Sequence, residues 1–378
     1  MPGTGIANIA LGTCLGATVI WRLLARRAGE ELLAPFRRTA PVSAPIGAFV
    51  ALSVASCFFS TLPSRSLLEL KGFGTFLLVP FALAHLKDDD DVHLVLDAWR
   101  VTTAYLVVRG LVDYAGGQST LDNRLAGGMS AYMTYAGLLM TLAIVLVSRG
   151  VSRFGSRLAR FADLAIGLLA MGAVGLTLTR NAYLGLGVGA LVLFASARPK
   201  LVFVVPVAAA AFYLLMPATV RARALSALDP TDVTMRVRLT MWRAGANMIG
   251  DRPVFGLGPG RVKELYPVYR RPGGFGDEHP GHLHNNLVMI AAETGLPSLA
   301  AYLGFVGLFF VNAWRRCRLY TLGAQRSVAR GAMAAMASLF AAGLFEYNFG
   351  DVEILMATLV LSALPFCLPP PPSLQSAA

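Results

Sequence analysis

Charge is what this sequence has least of: only 14% of its 378 residues are Asp, Glu, Lys or Arg, where a soluble domain carries about 25%. An ordinary soluble enzyme is excluded on that ground. Cysteine is scarce too. Cys14, Cys57 and Cys367 fall in apolar stretches and Cys317 in a basic one, so neither a disulfide framework nor a spaced zinc set can be drawn. A nucleotide fingerprint is missing: GLGPG at 256–260 has neither the GxGxxG spacing nor the preceding strand that a dinucleotide fold needs. Internal repeats strong enough to argue for inverted transporter halves are also missing. The N-terminal MPGTGIANIALG has no basic residue ahead of its apolar run, so it reads as a first span and not as a cleaved signal peptide.

What is present is apolar sequence. Hydrophobic residues make up 56% of the chain and the mean hydropathy is +0.60. A bilayer-crossing helix needs about 20 mostly apolar residues, and such stretches recur along most of the length. The expected fold is all-α: a single integral membrane domain, 1–378, of about eleven spans. They are placed near 6–24, 43–62, 66–86, 92–114, 127–147, 161–179, 182–196, 200–217, 297–314, 327–346 and 351–367. The excess of 33 Lys and Arg over 21 Asp and Glu would suggest nucleic acid in a soluble protein. In a membrane protein it reflects cytoplasmic loops, and no nucleic-acid partner is expected. Alternating loops put sixteen basic residues on one side, among them Arg22, Arg26, Arg149, Arg157, Arg315 and Arg326. The short loops and span ends of the other side hold Arg65, Arg124 and Arg180. The first side is therefore expected to be cytoplasmic, with the N-terminus outside and the Pro-rich tail inside.

The long hydrophilic segment 218–285 then lies outside, since long loops translocate regardless of charge. It has ten basic and six acidic residues, and nine of the ten bases are arginine. A guanidinium makes bidentate contact with phosphate or carboxylate where lysine offers a point charge. The segment is either a solvated loop touching lipid headgroups or an anion site at the membrane surface. Val237 to Ile249 has apolar residues at helical spacing and predicts a short amphipathic helix. His279, His282 and His284 stand within six residues in DEHPGHLHNN. They could hold zinc, although the spacing matches no usual helical metal motif. They could merely solvate a turn, or one of them could act as a general base. Arg180, at the outer junction of two spans, either snorkels to the headgroups or finds an anionic partner. DDDD at 88–91 reads as a solvated break, with a magnesium site for a nucleotide sugar as the sharper alternative.

In order along the chain, LTLTRNAYLGL, RLTMWRAGANMIGDRPVFGLGPG, HLHNNLVMIAAETGLPS and LFEYNFGDVE resemble the O-antigen ligase and O-antigen polymerase superfamily of bacterial membrane glycosyltransferases, over roughly residues 120–355. The resemblance implies an inner-membrane protein with one large periplasmic loop, about twelve spans and a cytoplasmic N-terminus, against the eleven spans and outside N-terminus read above. It implies transfer of a glycan from undecaprenyl diphosphate to an acceptor hydroxyl on a glycan or glycolipid, with inversion and with no metal or other cofactor. It assigns the donor diphosphate to Arg180 and Arg238, and the catalytic role to His284. Trp242, Asn285 and Gly295 fall in register as supporting positions. Two positions depart from the family pattern: its last glycine is Ser298 here, and its Ser-Arg-Gly is Thr179-Arg180-Asn181.

The chemistry suits those residues. Breaking a sugar–diphosphate bond leaves an anion, so negative charge developing in the transition state must be stabilised. Arginines can do this in place of magnesium, and no nucleotide is consumed. The competing expectations are an exopolysaccharide polymerase of the same superfamily, a transporter or flippase of lipid-linked sugars, and an inactive scaffold. A transporter would carry its ionisable residues along a path through several spans, whereas here they concentrate on one face.

Overall fold

The computed structural model describes residues 40–368 except 87, 118–123, 130, 153–154, 227–228, 230 and 322. The span expected at 6–24 lies outside the described residues. Those residues form helices and no strands. In chain order they are α1 (Ala40–Phe58), α2 (Pro63–Leu68), α3 (Leu78–His85), α4 (Asp89–Ala115), α5 (Tyr132–Val151), α6 (Arg157–Leu176), α7 (Arg180–Ala197), α8 (Val204–Leu215), α9 (Ala218–Leu225), α10 (Val233–Asp251), α11 (Val262–Tyr269), α12 (Asn286–Leu319), α13 (Gly323–Gly343) and α14 (Val352–Cys367). Short 3-10 turns join α2 to α3 and lead into α8 and α14.

Five stretches among the described residues are long and apolar enough to cross a membrane: Pro63–His85, Tyr132–Val151, Arg157–Leu176, Arg180–Ala197 and Asn286–Leu319. Three apolar helices are shorter, at Val42–Phe58, Val205–Leu215 and Val352–Cys367. The chain is thus a multi-pass helical membrane protein. Several expected spans take a different form. The stretch 66–86 is a 3-10 segment between two short α-helices, and 200–217 is a 3-10 turn followed by twelve helical residues. The span expected at 297–314 is the far part of the 34-residue α12.

α5 is the buried centre, packed on α6 and α13, while α13 also lies along α7 and against α12. Close approach between α7 and α13 depends on small residues: Gly185 and Gly189 sit against Ser338 and Ala334, with no room for a side chain. Helices that follow one another through short turns, such as α5, α6 and α7 or α12 and α13, reverse direction, which sorts the polar ends. Ser148 Oγ donates to the Ser327 carbonyl (2.9 Å) and Gln325 Nε2 to Asp89 (3.1 Å) at one end of the bundle. That end also holds the four aspartates. Asp88 caps α4 by accepting from the Asp91 amide (2.9 Å), and Asp89, Asp90 and Asp91 occupy its first turn, where the helix dipole favours acids. Arg180, His284 and the 218–285 segment gather at the opposite end.

The break in α12 determines how that segment docks. Gly295 has φ 87° and ψ 170°, a conformation essentially restricted to glycine. A Cβ there would collide with the Val254 carbonyl. The GLGPG turn fills the break: Leu257 N donates to Ala292 O (2.9 Å), Gly258 N to Glu293 O (2.9 Å) and Leu296 N to Pro253 O (2.8 Å). Carbonyls that the interrupted helix leaves without partners are satisfied this way. Ser298, just beyond, is fully buried and its hydroxyl donates to Thr294 O (2.9 Å). We expect Gly295→Ala to cost about 3 kcal/mol or more, from backbone strain and overlap combined. A fall of roughly 5 °C or more in the thermal unfolding of detergent-solubilised protein would show it; an unchanged melt would refute this account of the break.

Candidate functional site

Three chain turns and one overlying helix build the site. The sharp turn between α6 and α7 delivers Arg180, the last residues before α12 deliver His284, and the loop after α13 delivers Glu346. The amphipathic helix expected at Val237 to Ile249 is the middle of α10, which lies across them and carries Arg238 and Trp242. Its start is fixed by Asp232, whose side chain accepts from the Met235 amide (3.2 Å), a regular N-cap.

The turns are tightly specified. Among the described residues the non-glycine positions with left-handed backbone are Leu178 (φ 54°) and His284 (φ 47°). They fall two residues before Arg180 and at the histidine itself. Strain of this kind costs of order 1–3 kcal/mol and persists only where the surroundings over-determine it. Around His284 they do. Asn285 caps α12 by accepting from the amides of Leu287 (2.8 Å) and Val288 (3.0 Å), and its Nδ2 donates to Leu344 O (2.8 Å). Asn286 Oδ1 accepts from Phe349 N (3.1 Å), and Gly343 packs directly on Asn286. Trp242 Nε1 donates to Leu283 O (3.1 Å) while its ring lies 5.9 Å from that of Phe345. The histidine strand and the Glu346 loop are therefore stapled together from both sides. Phe349 anchors the loop among Phe49, Phe76 and Tyr302, with ring centroids 5.0–5.8 Å away.

At the centre stands Glu346, only 3% exposed. Its two carboxylate oxygens lie 2.9 and 3.0 Å from His284 Nδ1, its Oε1 3.6 Å from His282 Nε2, and its Oε2 3.8 Å from a terminal guanidinium nitrogen of Arg238. Burial by itself would raise this carboxyl. The hydrogen bond from His284, with the charges of His284, His282 and Arg238, holds it below the usual carboxylate range. An ionised carboxylate only accepts hydrogen bonds, so in neutral His284 the proton sits on Nδ1. Nε2, which makes no hydrogen bond among the described residues, then carries the lone pair. Burial pushes His282 below the usual histidine value, against the pull of Glu346.

The second part of the site is cationic. Arg180 is bound to α10 by Asp232 (2.8 Å) and to the preceding segment by the Ser226 carbonyl (2.9 Å) and hydroxyl (3.1 Å). The hydrogen bond from Arg180 carries the Asp232 carboxyl below its ordinary range. Arg238 is lowered by burial, then raised by Glu346 and lowered by Arg180 and Arg223. Arg223, on α9, is likewise lowered by burial and by Arg180 and Arg124. Arg180, Arg223 and Arg238 lie within electrostatic reach of one another, and the carboxylates that act on them among the described residues are Asp232 and Glu346. The Nε atoms of Arg223 and Arg238 are buried and have no hydrogen-bond partner among the described residues. An anion bound there would both balance the excess positive charge and satisfy those donors.

Of the six residues singled out by sequence, His284, Arg238, Trp242 and Asn285 come together around Glu346. Arg180 stands in the adjoining arginine cluster. Gly295 lies farther along α12 at the break and touches none of the others. Of the histidine trio, His279 is exposed and stands apart. The other two form, with Glu346, a group whose ligand atoms lie within 4.8 Å of one another and could hold a metal ion. The adjacent Arg238 charge opposes a cation there. Sequence reasoning passed over Glu346 and Arg223. For Glu346 a signal existed: an ionisable residue ending an apolar run, in LFEYNFGDVE, rarely stands there without a role.

A family model described as O-antigen ligase matches residues 164–303. It spans Arg180, Arg223, Arg238, Trp242, His284, Asn285 and Gly295, and stops short of Glu346. No curated protein matches the chain.

Proposed function

We propose that this membrane protein, whose residues 164–303 match the family model described as O-antigen ligase, transfers a glycan from undecaprenyl diphosphate to an acceptor hydroxyl on the periplasmic face of the bacterial inner membrane. The observation that carries the proposal is the pairing of His284 Nδ1 with Glu346 beside a cluster of arginines richer in charge than its carboxylates. In this reading the 218–285 segment is the periplasmic catalytic loop, and the end bearing Arg149, Arg157 and Arg326 faces the cytoplasm.

The reaction follows from the residues. Arg180 and Arg238 hold the donor diphosphate, with Arg223 beside them. His284 Nε2 takes the proton from the acceptor hydroxyl, and the oxygen attacks the anomeric carbon as the carbon–oxygen bond to phosphate breaks. Displacement from the opposite face inverts the anomeric centre, and the departing diphosphate leaves with the bonding electrons. One charge pair at 4 Å is worth roughly 4 kcal/mol at an effective dielectric of about 20. Only the part gained in the transition state accelerates the step. Glu346 fixes the tautomer of His284 and supports the imidazolium, as the aspartate does in a serine-protease triad. Neither metal nor nucleotide takes part.

The test is to mix purified protein with an undecaprenyl-diphosphate oligosaccharide and to offer a lipid A core, a second lipid-linked repeat and a protein as separate acceptors, each with and without EDTA. A ligase glycosylates the lipid A core, insensitive to chelation. Preference for the lipid-linked repeat would instead mark a polymerase, and failure on every acceptor with intact donor binding would favour a transporter.

A further inference from the structure

A second binding feature lies on the flank of α10 and is unused by the mechanism above. Between that helix, the end of α11 and the 271–275 loop is a cavity of about 210 Å³. Its walls carry Arg243, Asn247 and Thr240 from α10, Tyr269 from α11, and Arg271 and Phe275 from the loop.

The wall is built rather than incidental. Arg270 donates to the Gly274 carbonyl and stands 3.8 Å from Glu278, and Phe275 N donates to Thr240 Oγ1 (3.3 Å). Gly274 and Gly276 pass so close to Thr240 and Val237 that neither position has space for a side chain. Arg236 covers the Phe275 ring at 4.0 Å, and Asn247 Nδ2 donates to the Tyr269 carbonyl (3.3 Å). Against this background Arg243 and Arg271 stand out. Both are exposed, and neither side chain makes an ion pair or hydrogen bond among the described residues. Two uncommitted guanidinium groups beside two aromatic rings and an amide make a site for a sugar bearing carboxylate or phosphate: the forks take the anion and the rings cover the apolar face of a sugar.

We propose that this cavity binds an anionic saccharide unit of the acceptor glycan, at a distance from the reacting hydroxyl. The inference rests on the transferase reading for its orientation. Arg243 follows Trp242 and lies five residues beyond Arg238, about 7.5 Å along the helix axis. The loop that forms the outer wall runs directly into His282 and His284. The arginine cluster toward the start of α10, where Arg180 pairs with Asp232, accounts for the donor diphosphate, which leaves the cavity to the acceptor.

Direct binding tests the proposal without turnover. Trigalacturonate and its methyl ester, which share one sugar backbone and differ in that the ester's carboxyls are capped and uncharged, are titrated into detergent-solubilised full-length protein and read by saturation-transfer NMR and calorimetry. The acid is expected to bind at least tenfold more tightly than the ester. Arg243→Ala and Arg271→Ala should each lose most of that preference, Arg243→Lys should retain part of it, and His284→Ala should bind as the unsubstituted protein does. Equal affinity for acid and ester, or a preference that survives both alanine substitutions, overturns the site even if transfer is robust. In the transfer assay the same substitutions should raise the KM for an anionic acceptor about tenfold, with kcat and the donor KM held within twofold. A rise in donor KM instead would assign the cavity to the donor glycan and overturn the proposal as stated. Unchanged melting temperatures exclude misfolding as the cause.

Discussion

His284→Ala is expected to reduce glycan transfer by a factor of about 10² to 10⁴, the usual contribution of a positioned general base, while retention of the lipid-diphosphate donor stays within about twofold. The donor is held by arginines, so its binding does not depend on the imidazole. Glu346→Gln should lose nearly as much, for a different reason. A carboxylate 2.9 Å from Nδ1 obliges the proton to sit on that nitrogen; an amide can donate there instead and shift the proton to Nε2, which removes the lone pair the acceptor needs. The side chains are nearly the same size, so folding should survive. Single-turnover assays with both variants, run with saturating acceptor, measure the effect. Near-normal turnover in either one would refute the base assignment, as would loss of activity in EDTA restored by zinc, since His282, His284 and Glu346 are close enough to share an ion.

Arg238→Ala is expected to abolish nearly all transfer, and Arg238→Lys to recover little of it, because a point charge does not reproduce the guanidinium fork. Arg238 is largely buried beside Glu346, its side chain 12% exposed, and removing it would leave that carboxylate with the histidines as its charge partners. The leaving diphosphate would also lose a charge worth roughly 4 kcal/mol at contact. Arg180→Ala should be comparably damaging in kcat. It should also loosen the start of α10, since Asp232 and Ser226 are tied to it. Asp232→Asn separates the two effects: it removes the ion pair but keeps the arginine. If Arg180 acts on the diphosphate, this variant retains far more activity than Arg180→Ala. Small and equal losses at Arg180 and Arg238 would indicate a diffuse electrostatic surface in place of a defined diphosphate site.

Composition and periodicity by themselves determined the class of this protein, because apolar runs and helical spacing are local properties that any all-helical membrane fold must display. The same local signals located the middle of α10 and drew attention to Arg180 and the histidine cluster, while the family resemblance singled out Arg238, His284 and Asn285. The count of spans was less accessible. Hydropathy registers apolar length but not helical continuity, as at 200–217, where a 3-10 turn precedes a helix of twelve residues. Gly295 shows the limit plainly: the motif fixed its register, but its need to be glycine comes from the Val254 carbonyl passing against it. Only the tertiary structure decided who partners whom. Glu346 lies 62 residues from His284, and Asp232 lies 52 from Arg180. No spacing rule links such positions, because the separation is set by how α12 and α13 return to the same end of the bundle. A buried ionised carboxylate is tolerated only where opposite charges converge on it, and that convergence is a property of the packed helices.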